Sequence, residues 1–113
     1  MTNIKTGNLN GDTKLSWTFL DGSTRKAKIL DTCAIGKGTY LPGWKWSEHA
    51  GKITGKKSES YIGYILSGKI TIENLGGEKI TLGSGEIFEI APEHDAWTEG
   101  DKPCIALDFQ YLK

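Results

Sequence analysis

The feature that most constrains this chain is its cadence. Short apolar or alternating runs, each stopped by a glycine-containing turn, recur about every ten residues, and no stretch keeps a helical period for more than two turns. Leu15, Trp17 and Phe19 alternate with Lys14, Ser16 and Thr18, the period-two pattern of a half-buried strand, and Asp21-Gly22-Ser23 closes it as a tight hairpin turn. Arg25 to Ile35 reads as a second strand with Ala27 and Ile29 on one face, and Gly36-Lys37-Gly38 as the next turn. Thr39-Tyr40-Leu41 then leads to the turn Pro42-Gly43. An aromatic strand, Trp44-Lys45-Trp46-Ser47-Glu48-His49, follows, then a polar loop, then the apolar strand Tyr61 to Leu66, halted by Ser67-Gly68.

The remaining chain repeats the theme. Strands are expected over 69–75, 78–82, 86–91, 94–99 and 104–112, with turns at Gly76-Gly77, Gly83-Ser84-Gly85, Pro92-Glu93 and Gly100-Asp101-Lys102-Pro103. The last strand alternates Ile105, Leu107, Phe109 and Tyr111. Residues 1–12 are polar and form a peripheral or partner-clasping arm. Many short strands joined by glycine turns specify an all-β sandwich or barrel. With 113 residues the chain is one domain, spanning 1–113, large enough for an independent core.

Composition narrows the partners. The 14 basic and 14 acidic side chains cancel, so no net field draws in nucleic acid or an acidic membrane. No apolar run approaches the roughly 20 residues of a membrane span, and the first residues lack a signal-peptide core, which points to the cytoplasm. Cys33 and Cys104 are far apart and outside any Cys-x-x-Cys spacing, so they read as small buried residues rather than a staple or a zinc site.

Two stretches resemble the motifs of a small single-domain cupin, the jelly-roll β-barrel family. Gly43, five residues, then His49 opens the first motif, and Tyr64-Ile65-Leu66-Ser67-Gly68 is similar to the strand and turn that close it. Gly85-Glu86-Ile87-Phe88-Glu89-Ile90-Ala91-Pro92 followed by His94 resembles the second, and Gly100-Asp101-Lys102-Pro103 the turn after it. The likeness covers residues 40–112 and implies a single-domain antiparallel jelly-roll barrel. It also implies a divalent metal held by three histidines and a glutamate. Here the first histidine is His49, but Gly51 stands at the second position and Tyr61 at the glutamate, seven residues before Gly68. For the fourth ligand two registers compete: counting from Gly85 gives Ala96, counting back from Gly100 gives His94.

His49 and His94 are therefore the only metal candidates, with an oxygen donor available from Tyr61 or Glu59. Such a set would hold one divalent ion of iron, nickel, zinc or manganese. Without a metal, the same histidines line a ligand pocket with Tyr61 and Trp97. Trp44 and Trp46 share one face of an extended strand and His49 the other, so a His49 turned inward puts both tryptophans outside. Trp17 and Phe19 are expected in the core. The degenerate ligand set ranks a small-molecule binding module first and a metal-dependent cupin enzyme (oxygenase, isomerase or lyase type) using His49 and His94 second. A side-chain-filled structural barrel ranks third. A homodimer is compatible with all three, because the terminal strands leave apolar faces that one small barrel does not cover.

Overall fold

Alternation and glycine turns produce the expected strands. The computed structural model describes residues 4–11, 15–50 and 61–111, with Ala50 and Tyr61 described by their backbone alone. Nine strands lie among them: β1 (Leu15–Thr18), β2 (Thr24–Ile29), β3 (Cys33–Tyr40), β4 (Tyr61–Ser67), β5 (Lys69–Glu73), β6 (Lys79–Gly83), β7 (Ile87–Ile90), β8 (Asp95–Glu99) and β9 (Cys104–Tyr111). They pair antiparallel in a six-stranded sheet of order β1-β2-β3-β9-β4-β7 and a three-stranded sheet of order β6-β5-β8.

From β4 onward the chain crosses between the sheets four times, at β4–β5, β6–β7, β7–β8 and β8–β9. Each crossing includes a residue with positive φ: Gly68 (77°), Gly85 (87°), Glu93 (65°) and Gly100 (81°). Gly68 has a further reason to be glycine. A Cβ there would collide with the Pro103 carbonyl and stand 2.7 Å from the Cys104 Cα, so the arch from β4 to β5 lies directly on the start of β9. A register shift between Ile65 and Ser67 in the β4–β9 pairing bends the strand just before that arch.

The core sits between the sheets. Ile65, Cys104 and Ala106 come from the large sheet, Ile70, Ile72, Leu82 and Ala96 from the small one, and Trp44 from the loop at its edge. Ile65 and Cys104 are fully buried; burying a side chain the size of Ile65 contributes about 2–3 kcal/mol. Cys33 and Cys104 are both free thiols at opposite ends of the β3–β9 pair, where their Cα partners are Tyr111 and Tyr40.

Four expectations need correction. The single strand 25–35 is two, because a turn closed by Leu30 N–H donating to the Cys33 carbonyl (2.8 Å) separates β2 from β3. Gly36-Lys37-Gly38 is not a turn but the middle of β3, for a packing reason: side chains lie across both glycines. A Cβ on Gly36 would collide with Arg25 and Asp108, and one on Gly38 with the Tyr40 ring.

The aromatic strand does not run on to His49. Residues Trp46–Ala50 form one π-helical turn, with His49 N–H donating to the Lys45 carbonyl (2.9 Å). The turn breaks the two-residue period, so Trp44 is in the core, its ring 4.3 Å from that of Tyr40 and 6.1 Å from that of Phe19, rather than outside. Trp46 also packs against that core. Trp17 is the fourth correction. Phe19 packs on the core as expected, but Trp17 lies half-buried against Arg25, whose guanidinium is 5.2 Å from its ring centre.

Candidate functional site

One row on the inner face of the large sheet carries little bulk at its centre. Register places Ala27, Gly36, Asp108, Gly63 and Phe88 in one row across β2, β3, β9, β4 and β7. Asp108 thus stands between two glycines, on a floor without neighbouring side chains. From the adjoining row, Arg25 reaches over Gly36 and grips the carboxylate with both prongs: Nε donates to Oδ2 (3.0 Å) and Nη2 to Oδ1 (2.6 Å). The Phe88 ring covers Gly63 on the other side, and the Trp17 ring backs the guanidinium.

The Arg25 and Asp108 side chains keep 20% and 15% of their accessible surface, so the pair is sheltered yet reachable from water. A planar guanidinium and a carboxylate held in this fork have fixed orientations, and their remaining lone pairs and N–H groups point in set directions. The arrangement is chemically able to offer a charged acceptor, the Asp108 carboxylate, to a polar molecule beside an aromatic surface.

The histidines are positioned separately. His49 Nδ1 accepts a hydrogen bond from the Lys45 backbone N–H (2.9 Å), and the His49 carbonyl accepts from Leu20 N–H (3.4 Å), tying the π-helical turn to the β1–β2 hairpin. An amide nitrogen can only donate, so the proton of the neutral His49 ring sits on Nε2. While that bond stands, neither ring nitrogen has a lone pair for a metal ion. His94 has the opposite tautomer: Nδ1 donates to the Ala91 carbonyl (3.0 Å), which leaves the lone pair on Nε2. Burial pushes the His94 pKa down, against the raising effects of the Ala91 hydrogen bond and the Asp95 charge.

Of the two registers for the fourth ligand, Ala96 faces the core and His94 lies half-buried at the β7–β8 crossing. Among the described residues no group of three or more His, Cys, Asp or Glu side chains is placed to hold a metal ion. The donor set visible here does not fit a metal centre, because His49 is committed as an acceptor. The Tyr61 side chain, Gly51 and Glu59 lie outside the described residues.

Trp97 does not line the space between the sheets. Its neighbours on β8, Ala96 and Thr98, are buried, so alternation turns Trp97 to the outer face of the small sheet. There its Nε1 donates to Glu99 Oε1 (2.7 Å), and Lys45 and Lys79 place their Nζ atoms 5.4 and 5.9 Å from its ring centre. Thr71 Oγ1 donates to the same carboxylate oxygen (2.8 Å), so the proton between Thr71 and Thr81 (2.7 Å) comes from Thr81. The bonds from Thr71 and Trp97 hold the Glu99 carboxyl below its ordinary pKa. This is a surface network that ties β5, β6 and β8 together.

Sequence reasoning missed Arg25 and Asp108 as a pair. One signal was present: Asp108 is the only charge in the otherwise apolar or neutral run Cys104 to Tyr111, and a charge on such a strand needs a partner.

The comparisons with known proteins agree with this architecture. KdgF from Halomonas sp. superposes with a TM-score of 0.62 at 19% identity, covering 81% of this chain and 82% of that one. A cupin-like protein from Thermotoga maritima superposes with a TM-score of 0.62 at 16% identity, covering 88% and 74%. A sugar phosphate isomerase of the cupin superfamily from Silicibacter pomeroyi gives a TM-score of 0.63 at 12% identity, covering 83% and 62%. At these identities the likeness shows the fold alone. No curated protein matches the sequence. The model of the cupin domain family matches residues 42–109, more than half of the chain, so the chain belongs to the cupin domain family.

Proposed function

We propose that this cupin binds a small polyhydroxylated or otherwise hydrogen-bonding molecule between its sheets, against the Arg25–Asp108 pair, and that binding rather than metal-dependent turnover is its activity. The observation that carries this reading is the forked ion pair on its glycine floor, sheltered but open to water. Pockets for small ligands combine an apolar or aromatic wall with a few fixed polar groups, and Trp17, Phe88, Arg25 and Asp108 are of those kinds. Aromatic rings stack on the C–H faces of sugars while carboxylates and guanidinium groups bond their hydroxyls. The Silicibacter pomeroyi isomerase, whose substrate is a sugar phosphate, lends the ligand class some support through the shared fold.

The test is calorimetric titration of the purified protein with a panel of monosaccharides and sugar acids, repeated with Asp108→Asn. The amide keeps the shape of the carboxylate but loses the charged acceptor, so affinity for the best ligand is expected to fall on the order of tenfold. A variant that stays folded and binds equally well would sink the assignment of the site.

A second reading, a metal-dependent enzyme using His49 and His94, keeps one observation in its favour: with Nδ1 donating to the Ala91 carbonyl, Nε2 is the unprotonated nitrogen of the neutral His94 ring. It requires the bond from Lys45 N–H to His49 Nδ1 to break. Elemental analysis of untagged protein purified without chelator decides it. About one metal per chain, lost in both His49→Ala and His94→Ala, would move the protein to the enzyme class.

A further inference from the structure

Among the described residues, Trp44 carries the one buried side-chain donor with nothing to bond. Its residue is 3% exposed and its Nε1 reaches no acceptor. The rest of its buried cluster is isoleucine, leucine, alanine and cysteine, side chains without an oxygen or nitrogen. The indole is also held in place. Trp44 N–H donates to the Leu41 carbonyl (3.0 Å), and the Trp44 carbonyl accepts from Thr98 N–H (3.0 Å), so its backbone is fixed on both sides. The Tyr40 and Phe19 rings pack against it. Phenylalanine would fill an apolar wall without this cost, whereas an indole N–H taken out of water and given no acceptor loses its hydration for no bond.

The unmet donor lies along the strand that carries the open carboxylate. The inward side chains of β9 are Cys104, Ala106 and Asp108, and the first two belong to the Trp44 cluster. Tyr40, which packs on Trp44, is the register partner of Cys104, and its ring lies over Gly38, the partner of Ala106. Asp108 stands one inward position beyond Ala106, roughly 7 Å along the strand. On β9 only the methyl group of Ala106 comes between. The two ends are chemically opposite. Each Asp108 oxygen takes one bond from Arg25 and has a second lone-pair site; Trp44 has a proton and no acceptor.

We propose that Trp44 is the second polar anchor of the site at Asp108: a bound molecule accepts from Trp44 Nε1–H through one oxygen and donates a hydroxyl to Asp108 from another, about one sugar ring away. This rests on the reading that a small hydrogen-bonding molecule binds against the Arg25–Asp108 pair, and it adds which groups that molecule carries. The oxygen at Trp44 is a neutral one, of a hydroxyl, ring ether or carbonyl, because the apolar cluster around the indole holds no counter-charge for a carboxylate or phosphate.

Heteronuclear NMR of protein carrying isotope-labelled tryptophan, titrated with D-glucose, D-galactose, D-xylose and D-gluconate, tests this. The Trp44 indole signal is recognised by its through-space contacts with the Tyr40 ring. The best-binding neutral sugar is expected to move that signal downfield and to slow its exchange with water about tenfold or more. Trp44→Phe keeps an aromatic wall and removes the donor, so it is expected to raise the dissociation constant on the order of tenfold, as Asp108→Asn does. Binding that weakens with Asp108→Asn while the Trp44 signal stays still, or while Trp44→Phe binds as well as wild type, would overturn the anchor and keep the site; a resident water would then be the partner of the indole. A preference for D-gluconate over the neutral sugars would overturn the neutral oxygen at Trp44. Binding indifferent to Asp108→Asn, or no binding by any of the four, would overturn the site itself and the anchor with it. The wild-type signal decides the matter even where Trp44→Phe does not fold.

Discussion

Arg25 and Asp108, 83 residues apart in sequence, meet over Gly36 in a two-pronged ion pair that joins β2 to β9 across β3. Neither residue has that role without the other. Removing one leaves a half-sheltered charge without its counter-charge, whereas removing both leaves an apolar face. Asp108→Ala is expected to cost about 2 kcal/mol, the value for a fully buried pair discounted for the water that reaches this one. Arg25→Met combined with Asp108→Leu is expected to cost less than the two single changes added. Urea unfolding of the three variants and wild type closes the cycle, and strict additivity would show that the pair is not coupled.

Gly68 allows an equally direct check of the fold. Its φ of 77° is unfavourable for any side chain, and its Cα faces the backbone of Pro103 and Cys104, which cannot move aside. Gly68→Val is expected to destabilise the domain by about 3 kcal/mol or more, because strain and overlap act together. A thermal midpoint within error of wild type would mean that the arch does not sit on β9.

His94 links stability to pH in a defined direction. Burial, the largest influence, lowers its folded pKa below the ordinary 6.5, so the unfolded chain takes up a proton first as pH falls. Above 6.5 the ring is neutral in both states and contributes nothing. Below it, stability falls until the folded pKa is reached, and then levels off. The urea midpoint should therefore drop more in wild type than in His94→Gln when pH is lowered from about 8 to 5. Parallel curves for the two proteins would contradict the sheltered, neutral ring.

The two thiols should behave differently. Cys104 is fully buried, and desolvation raises its pKa to about 11, so it presents almost no thiolate at neutral pH. Cys33 is only half-buried at the end of β3. A chromogenic disulfide reagent is expected to titrate one thiol in the native protein and the second only on unfolding, with Cys33→Ser abolishing the native reaction. Native labelling of Cys104 would place the start of β9 outside the core.

Much of the fold could be read without coordinates, because the determining physics is local. Gly68, Gly85 and Gly100 were identifiable as turns since positive φ excludes most side chains, whatever the surrounding fold. The strands over β4 to β9 followed from period-two alternation, and the spacing of Gly43, His49, Gly85 and Pro92 carried the resemblance to the family whose model matches residues 42–109. Tertiary structure decided what local rules leave degenerate. Gly36 and Gly38 look like turn glycines until Arg25, Asp108 and Tyr40 are laid across them. Trp46–Ala50 looks extended until Lys45 N–H finds the His49 ring and winds the segment into a turn. Alternation says that Ile105, Leu107 and Phe109 share a face, but not which way it points. That choice belongs to the second sheet, which packs on Cys104 and Ala106 and so leaves Asp108 inside and Ile105, Leu107 and Phe109 outside.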